Sequence, residues 1–241
     1  IAAVGMTFVI LSGGIDLSVG AVIGFTTVLI AVLIMWLNLH PLIAFAVALI
    51  VATAFGAVMG AAIHYLRVPS FIVTLAGMFL ARGGASVLSP DSIGIEHPFF
   101  TAVQKSYILL PGGGRLTVVG MIMLAVFAVA ILLAHRTRFG SNVYALGGSE
   151  TSAALMGVPV ARTTITIYAL SSFLAGLAGV VFSLYTSAGY SLNALGVELD
   201  AIAAVVIGGT LLTGGYGFVA GTFIGVMLQG LVQTYIVFDG T

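Results

Sequence analysis

Ser12-Gly13-Gly14-Ile15-Asp16-Leu17-Ser18-Val19-Gly20 is the stretch on which the reading of this chain turns. It sets paired glycines, a carboxylate and two hydroxyls between the apolar runs Ile1–Leu11 and Val19–Leu37. A helix in lipid must satisfy its backbone polar groups internally, so such a break is tolerable only against protein or a water-filled path. Glycine lets the backbone unwind or another helix approach closely, and an acid at membrane depth is by default a functional-site candidate.

The break recurs. Shifted by 201 residues without gaps, Ile1–Gly24 falls on Ile202–Gly225 with ten identities in 24 positions. Gly13, Gly14 and Gly20 fall on Gly214, Gly215 and Gly221, whereas Asp16 falls on Gly217, so the acid is not part of the repeat. Interrupted apolar segments at corresponding places in two halves point to a transport pathway between repeats.

The chain is 61% hydrophobic and 6% charged, which excludes an ordinary soluble domain. The expected fold is all-α: a polytopic transmembrane helical bundle with glycine-broken helices and an internal repeat, residues 1–241 forming a single domain in the lipid bilayer. The chain opens inside an apolar run and stops soon after another, so it reads as an excerpt lacking helices at one end or both. Zero net charge gives no basic face for nucleic acid, and the absence of cysteine removes disulfide and thiolate chemistry. His40, His64, His97 and His135 lie on separate loops without ligand spacing, so no metal site is expected.

In order, spans are expected over Val19–Leu37, Pro41–Ile63, Ser70–Leu88, Leu116–Ala134, Thr163–Ala188, Ala201–Leu212 and Phe218–Phe238, about eight membrane segments with the partial one at Ile1–Leu11. Gly56 and Gly60 form a small-xxx-small pair, read as packing inside one chain rather than a dimer face. Arg82 is read as snorkelling near a helix end, with a pathway role as the alternative. Ser89–Arg115 reads as an external segment with a turn at Pro111-Gly112-Gly113-Gly114, and Gly189–Asp200 as an external loop carrying Glu198 and Asp200. Arg67, Arg136, Arg138 and Arg162 fall on one side and only Lys105 and Arg115 on the other, which puts the arginine side in the cytoplasm. This count leaves open whether the repeat is parallel or inverted.

The connection 135–162 holds a short helix, Glu150–Gly157. Ser149 is a good N-cap, Glu150 suits the positive end of the dipole, Gly157 fits the C′ position and Pro159 stops the helix. Two turns are unstable alone in water, and Ala153, Ala154, Leu155 and Met156 give an apolar face that wants a partner. Two readings stand: a helix taking force from a soluble subunit, or an amphipathic helix on the membrane surface.

Three stretches then carry a resemblance. SGGIDLSVG (Ser12–Gly20), FGSNVYALGGSETSAALMGV (Phe139–Val158) and ELDAIAAVVIGGTLLTGG (Glu198–Gly215) resemble the permease subunits of bacterial ATP-binding-cassette sugar importers, the ribose-type group related to branched-chain amino-acid permeases. PGGGRLT (Pro111–Thr117), LAHRTRF (Leu133–Phe139) and QGLVQTYIVFDG (Gln229–Gly240) look closest to a permease of the galactofuranose importer. The resemblance implies a transmembrane permease domain of the bacterial inner membrane, paired with a second permease as a homo- or heterodimer. ABC ATPase subunits would dock on the cytoplasmic loops and a periplasmic sugar-binding protein outside. Glu150, Ala153, Ala154, Leu155, Met156 and Gly157 would form the ATPase coupling helix within the 135–162 coupling loop. Gly13, Gly14, Asp16, Ser18, Gly214 and Gly215 would flank the translocation path.

No enzyme activity is expected of the chain itself. It has no Walker loop, and its single lysine, Lys105, lies on the far side of the membrane. It therefore binds no cofactor, and ATP is used by the partner subunit. One rival is an ion-coupled secondary transporter with Asp16 as the ion site. Another is an intramembrane aspartyl hydrolase pairing Asp16 with a second acid such as Asp200, disfavoured because that chemistry needs two carboxylates at close range and Asp200 is expected in an acidic external loop. For Asp16 the favoured reading is a structural cap on the helix that follows, ahead of direct sugar contact.

Overall fold

The computed structural model describes residues 1–109 and 113–239. Part of the expected Pro111–Gly114 turn, and Gly240 of the Gln229–Gly240 stretch, lie outside the described residues.

Among these residues the chain is a helical bundle: α1 (Ala2–Leu11), α2 (Val19–Met35), α3 (Pro41–Tyr65), α4 (Ser70–Leu88), α5 (Pro98–Lys105), α6 (Val118–Arg136), α7 (Arg138–Gly148), α8 (Glu150–Leu155), α9 (Val160–Thr186), α10 (Val197–Ile207) and α11 (Val219–Asp239). Two small antiparallel pairs join β1 (Ile93–Gly94) to β4 (Ala188–Gly189) and β2 (Tyr107–Leu109) to β3 (Arg115–Thr117). Both pairs sit on the side opposite α7 and α8. Five helices, α3, α4, α6, α9 and α11, are long and apolar enough to cross a membrane.

Local chemistry fixes the ends. His40 and His97 accept from the backbone N–H of Leu42 and Phe99, and each precedes a proline in the first turn of α3 and α5. α9 begins after Pro159 and stops where Ser187 turns left-handed (φ 50). There Gln104 of α5 donates to the Leu184 carbonyl at 2.8 Å and the Ser187 hydroxyl at 2.9 Å.

α9 runs through the middle, flanked by α3, α2 and α1. α3 comes close because of the glycine pair: a Cβ on Gly60 would lie 2.8 Å from the Ile165 Cα, and one on Gly56 would collide with the Tyr168 carbonyl. The pair serves packing within the chain, as the sequence suggests. Val4, Phe8 and Val9 of α1 are buried with Ile167 and Leu174 of α9, while α6 leaves Val129 and Leu132 exposed.

The fold differs from the sequence expectation at the 135–162 connection and at the second break. The connection 135–162 is not merely a polar loop: it contains α7, held by Val143 and Leu146 buried one turn apart. The second break also begins earlier than expected. α10 ends at Ile207 rather than Leu212, because Gly209 takes φ +88, a conformation that favours glycine.

Candidate functional site

At the first break the chain leaves α1 through Gly13, whose N–H donates to the Ile10 carbonyl at 2.9 Å with φ +82. Asp16 then folds the chain into α2. Its Oδ1 accepts from the Ser18 N–H at 2.9 Å and the Ser18 hydroxyl at 2.6 Å, and its Oδ2 from the Ser171 hydroxyl at 2.8 Å. Asp16 and Ser18 are fully buried, so both face packed protein rather than a cavity. α4 holds the same turn: the Ile15 N–H donates to Ser70 Oγ and the Thr74 hydroxyl to the Ile15 carbonyl, each at 3.3 Å. Gly13 and Gly14 border a cavity of about 650 Å³ whose other walls include Arg67, Ser70, Glu150 and Tyr168.

The second break repeats the first. Gly214 donates to the Leu211 carbonyl at 3.0 Å with φ +83, the same bond and torsion as Gly13 after the 201-residue shift. The two breaks also touch. The Gly215 N–H donates to the Leu11 carbonyl at 2.9 Å, and a Cβ on Gly214 would lie 2.7 Å from the Gly13 nitrogen. Both breaks sit beside α7, and α2 and α11 both run away from it, so the repeat is parallel.

α7 ends in this junction. A side chain on Gly147 would collide with the Leu11 carbonyl, and the Gly147 carbonyl lies against Gly214. The Tyr144 hydroxyl donates to the Gly217 carbonyl at 2.7 Å. Burial pushes the Tyr144 phenol above its ordinary value, so it stays a donor through neutral and mildly alkaline pH.

One residue beyond α7, Ser149 caps α8 by accepting from the Ser152 N–H at 3.2 Å. The helix closes with the Gly157 N–H on the Ala154 carbonyl and the Val158 N–H on the Ala153 carbonyl, both at 3.0 Å, with Gly157 at φ +83. Ala153 points inward and is fully buried, whereas Glu150, Ala154, Leu155 and Met156 are exposed, Leu155 at 86% and Met156 at 72%. Arg67 and Glu150 line one cavity, and Arg136, Arg138 and Arg162 line another beside α8, so the arginine-rich face is the α7–α8 face.

Arg82 does not snorkel. From α4 it turns inward, donating to the carbonyls of Ser191 at 2.5 Å and Asn193 at 2.8 Å. The segment between β4 and α10 is therefore not an external loop: it folds back along α2, with the Ser191 and Asn193 carbonyls over Gly24 and Glu198 over Gly20. Glu198 and Asp200 occupy the first turn of α10, where acids suit the dipole. Asp200 accepts from Gln229 at 2.9 Å, and Glu198 Oε2 is buried without a hydrogen-bond partner. Arg82 and Glu198 thus join the polar groups at membrane depth. An arginine 12 residues into a 19-residue apolar helix, with acids ahead of an apolar run, was the available signal. Asp16 and Asp200 do not form a proton-sharing pair: Asp16 bonds to serines and Asp200 to Gln229.

Residues 1–239 match the family described as branched-chain amino acid transport system / permease component. The chain is 60% identical over its full length, and over 73% of the relative, to the inner membrane ABC transporter permease protein YjfF of Escherichia coli K12. It is 40% identical to the ribose import permease protein RbsC of the same organism, over 97% of this chain and 72% of the relative. It is 39% identical to the fructose import permease protein FruG of Bifidobacterium longum, over 97% of this chain and 70% of the relative. No solved structure matches the chain. These relatives are named as permeases rather than enzymes, in keeping with a bundle that has five helices long and apolar enough to cross a membrane among the described residues. The chain belongs to the permease-component family of the branched-chain amino acid transport system.

Proposed function

We propose that this chain is the translocation subunit of an ATP-driven sugar importer, pairing with a second permease around the path. ABC ATPase subunits dock on α8, on the cytoplasmic side, and a periplasmic sugar-binding protein on the opposite side. ATP is bound and hydrolysed by the ATPase, not by this chain. The sugar is galactofuranose, a reading that rests on the Pro111–Thr117, Leu133–Phe139 and Gln229–Gly240 resemblance.

The observation that carries the proposal is the seating of α8. A helix of six residues with caps at both ends exposes Leu155 and Met156, and its base is one residue from the backbone junction of both breaks. Glu150, Ala154, Leu155 and Met156 are the surface the ATPase grips, with Ala153 and Gly157 holding the helix in place. A push on α8 passes through Gly147 into Leu11, Gly214 and Gly215, and so into α1, α2, α10 and α11 together. Gly13, Gly14, Gly214 and Gly215 are the moving part of the path wall. Asp16 and Ser18 keep the first break in shape.

The test is ATP-driven uptake of galactofuranose and ribose into vesicles holding the full-length permease with its ATPase and second permease. Wild type is compared with Glu150→Arg plus Leu155→Asp, and ATPase binding is read by pull-down. Joint loss of uptake and ATPase binding in a folded variant is the expected result. Uptake that proceeds without any ATPase and follows an ion gradient would replace the proposal with a secondary transporter.

A further inference from the structure

The cytoplasmic ends of α6 and α9, with the start of α7, border an open cavity of about 770 Å³ lined by His135 and Arg136 of α6, Arg138, Ser141 and Asn142 of α7, and Arg162 of α9. Among the described residues no carboxylate lines it. Three permanent cations at one opening repel one another, and an anion placed among them removes that repulsion. Guanidinium groups also match phosphate oxygens in geometry.

α6 and α9, which border this cavity, form a second feature farther along their length. Between α6 and α9 runs an apolar groove of about 320 Å³, walled by Val126, Val129, Leu133, Leu170 and Leu174, with Phe8 of α1 at its floor. Leu133 is one turn of α6 from Arg136 and Thr137, and Leu170 is two turns of α9 from Arg162. α6 is 19 residues long, about 28 Å by helix rise, so its Arg136 end lies at the headgroup level of a bilayer whose apolar core is about 30 Å. A basic mouth at headgroup level, to which α7 adds Arg138, and an apolar slot at acyl level along the same α6–α9 pair match the polarity of one lipid molecule.

We propose that this α6–α9 face is a binding site for an anionic phospholipid, its phosphate held by Arg136, Arg138 and Arg162 and an acyl chain lying in the groove. Met156 and Gly157 at the end of α8 border the same cavity, so the headgroup sits against the far end of the helix that faces the cytoplasm. This site depends neither on the sugar carried nor on α8 being an ATPase contact.

The full-length permease in detergent is titrated separately with phosphatidylglycerol, phosphatidylcholine and inorganic phosphate, reading bound lipid per chain and thermal unfolding. Phosphatidylglycerol is expected to bind roughly tenfold tighter than phosphatidylcholine, the scale of a few screened cation–phosphate contacts. Combined R136Q, R138Q and R162Q should abolish that preference, and the corresponding lysine variants should keep most of it. V129W, which fills the groove without changing charge, should weaken phosphatidylglycerol even if the glutamine variant fails to fold. Stabilisation by inorganic phosphate alone, insensitive to V129W, would assign the cavity to a free phosphate and overturn the lipid. Equal binding of the two lipids, or no lipid bound because another segment of the chain fills the groove, would overturn it as well.

Discussion

The backbone N–H of Gly215 donates to the carbonyl of Leu11 at 2.9 Å, across 204 residues of sequence, and Gly147 is wedged against both partners. Three segments thus meet through main chain alone. Motion of any one is felt by the other two at once, because no side chain is present to absorb it by changing rotamer.

That wedge separates two neighbouring glycines. A Cβ on Gly147 would collide with Leu11, whereas a Cβ on Gly148 would meet nothing within 4 Å. Gly147→Ala should cost about 1–3 kcal/mol of overpacking strain and lower ATP-driven uptake sharply. Gly148→Ala should leave uptake near wild type. Uptake in vesicles, normalised to inserted protein, reads both.

Asp16 distinguishes a scaffold from an ion site. Asp16→Asn keeps an acceptor for Ser18, and the Ser171 hydroxyl can turn to accept from the new amide, so uptake should survive. Asp16→Ala strands buried donors at about 1–3 kcal/mol for each unsatisfied group, and the protein should melt at a lower temperature. An ion site would instead lose all transport with asparagine.

Arg82→Gln removes two charged hydrogen bonds from the segment ahead of α10. A loss of about 1.5–3 kcal/mol per bond is the scale for charged donors, and glutamine recovers part of one. Limited proteolysis should then cut between Tyr190 and Gly196 faster than in the wild type.

Tyr144→Phe deletes the 2.7 Å bond to Gly217, at about 0.5–1.5 kcal/mol. The pH dependence follows in sign. The folded phenol titrates above its ordinary value of about 10, so its contribution is complete below that value and is lost as pH rises through the raised one. Wild type should therefore lose thermal stability at strongly alkaline pH more steeply than Tyr144→Phe.

What the sequence discloses follows from how local each signal is. Ser149, Gly157 and Pro159 place the α8 helix to within two residues, because capping is settled over one turn. The starts of α2, α3 and α4 read off directly, since a turn or proline precedes each apolar run. The repeat shows in the pattern of glycines, but its parallel sense depends on which face each break occupies. Arg82 departs from its sequence reading because an arginine six residues from a helix end can reach water or turn inward, and only the carbonyls of Ser191 and Asn193 decide between them. α7 is absent from the sequence reading, although Phe139, Val143 and Leu146 recur at helical spacing. The Gly147 junction had no sequence signal, since its partners lie more than 65 residues away on either side.

The polar start of α10 bears on how the protein is made. α10 has 11 residues, about half the length that a bilayer crossing requires. It cannot be released into lipid as an independent stretch, since the unpaired carbonyls of Ser191 and Asn193 would go with it. Arg82, synthesised more than a hundred residues earlier, is what receives them. This guanidinium and the segment it receives therefore belong to one folding unit, although more than a hundred residues separate them along the chain.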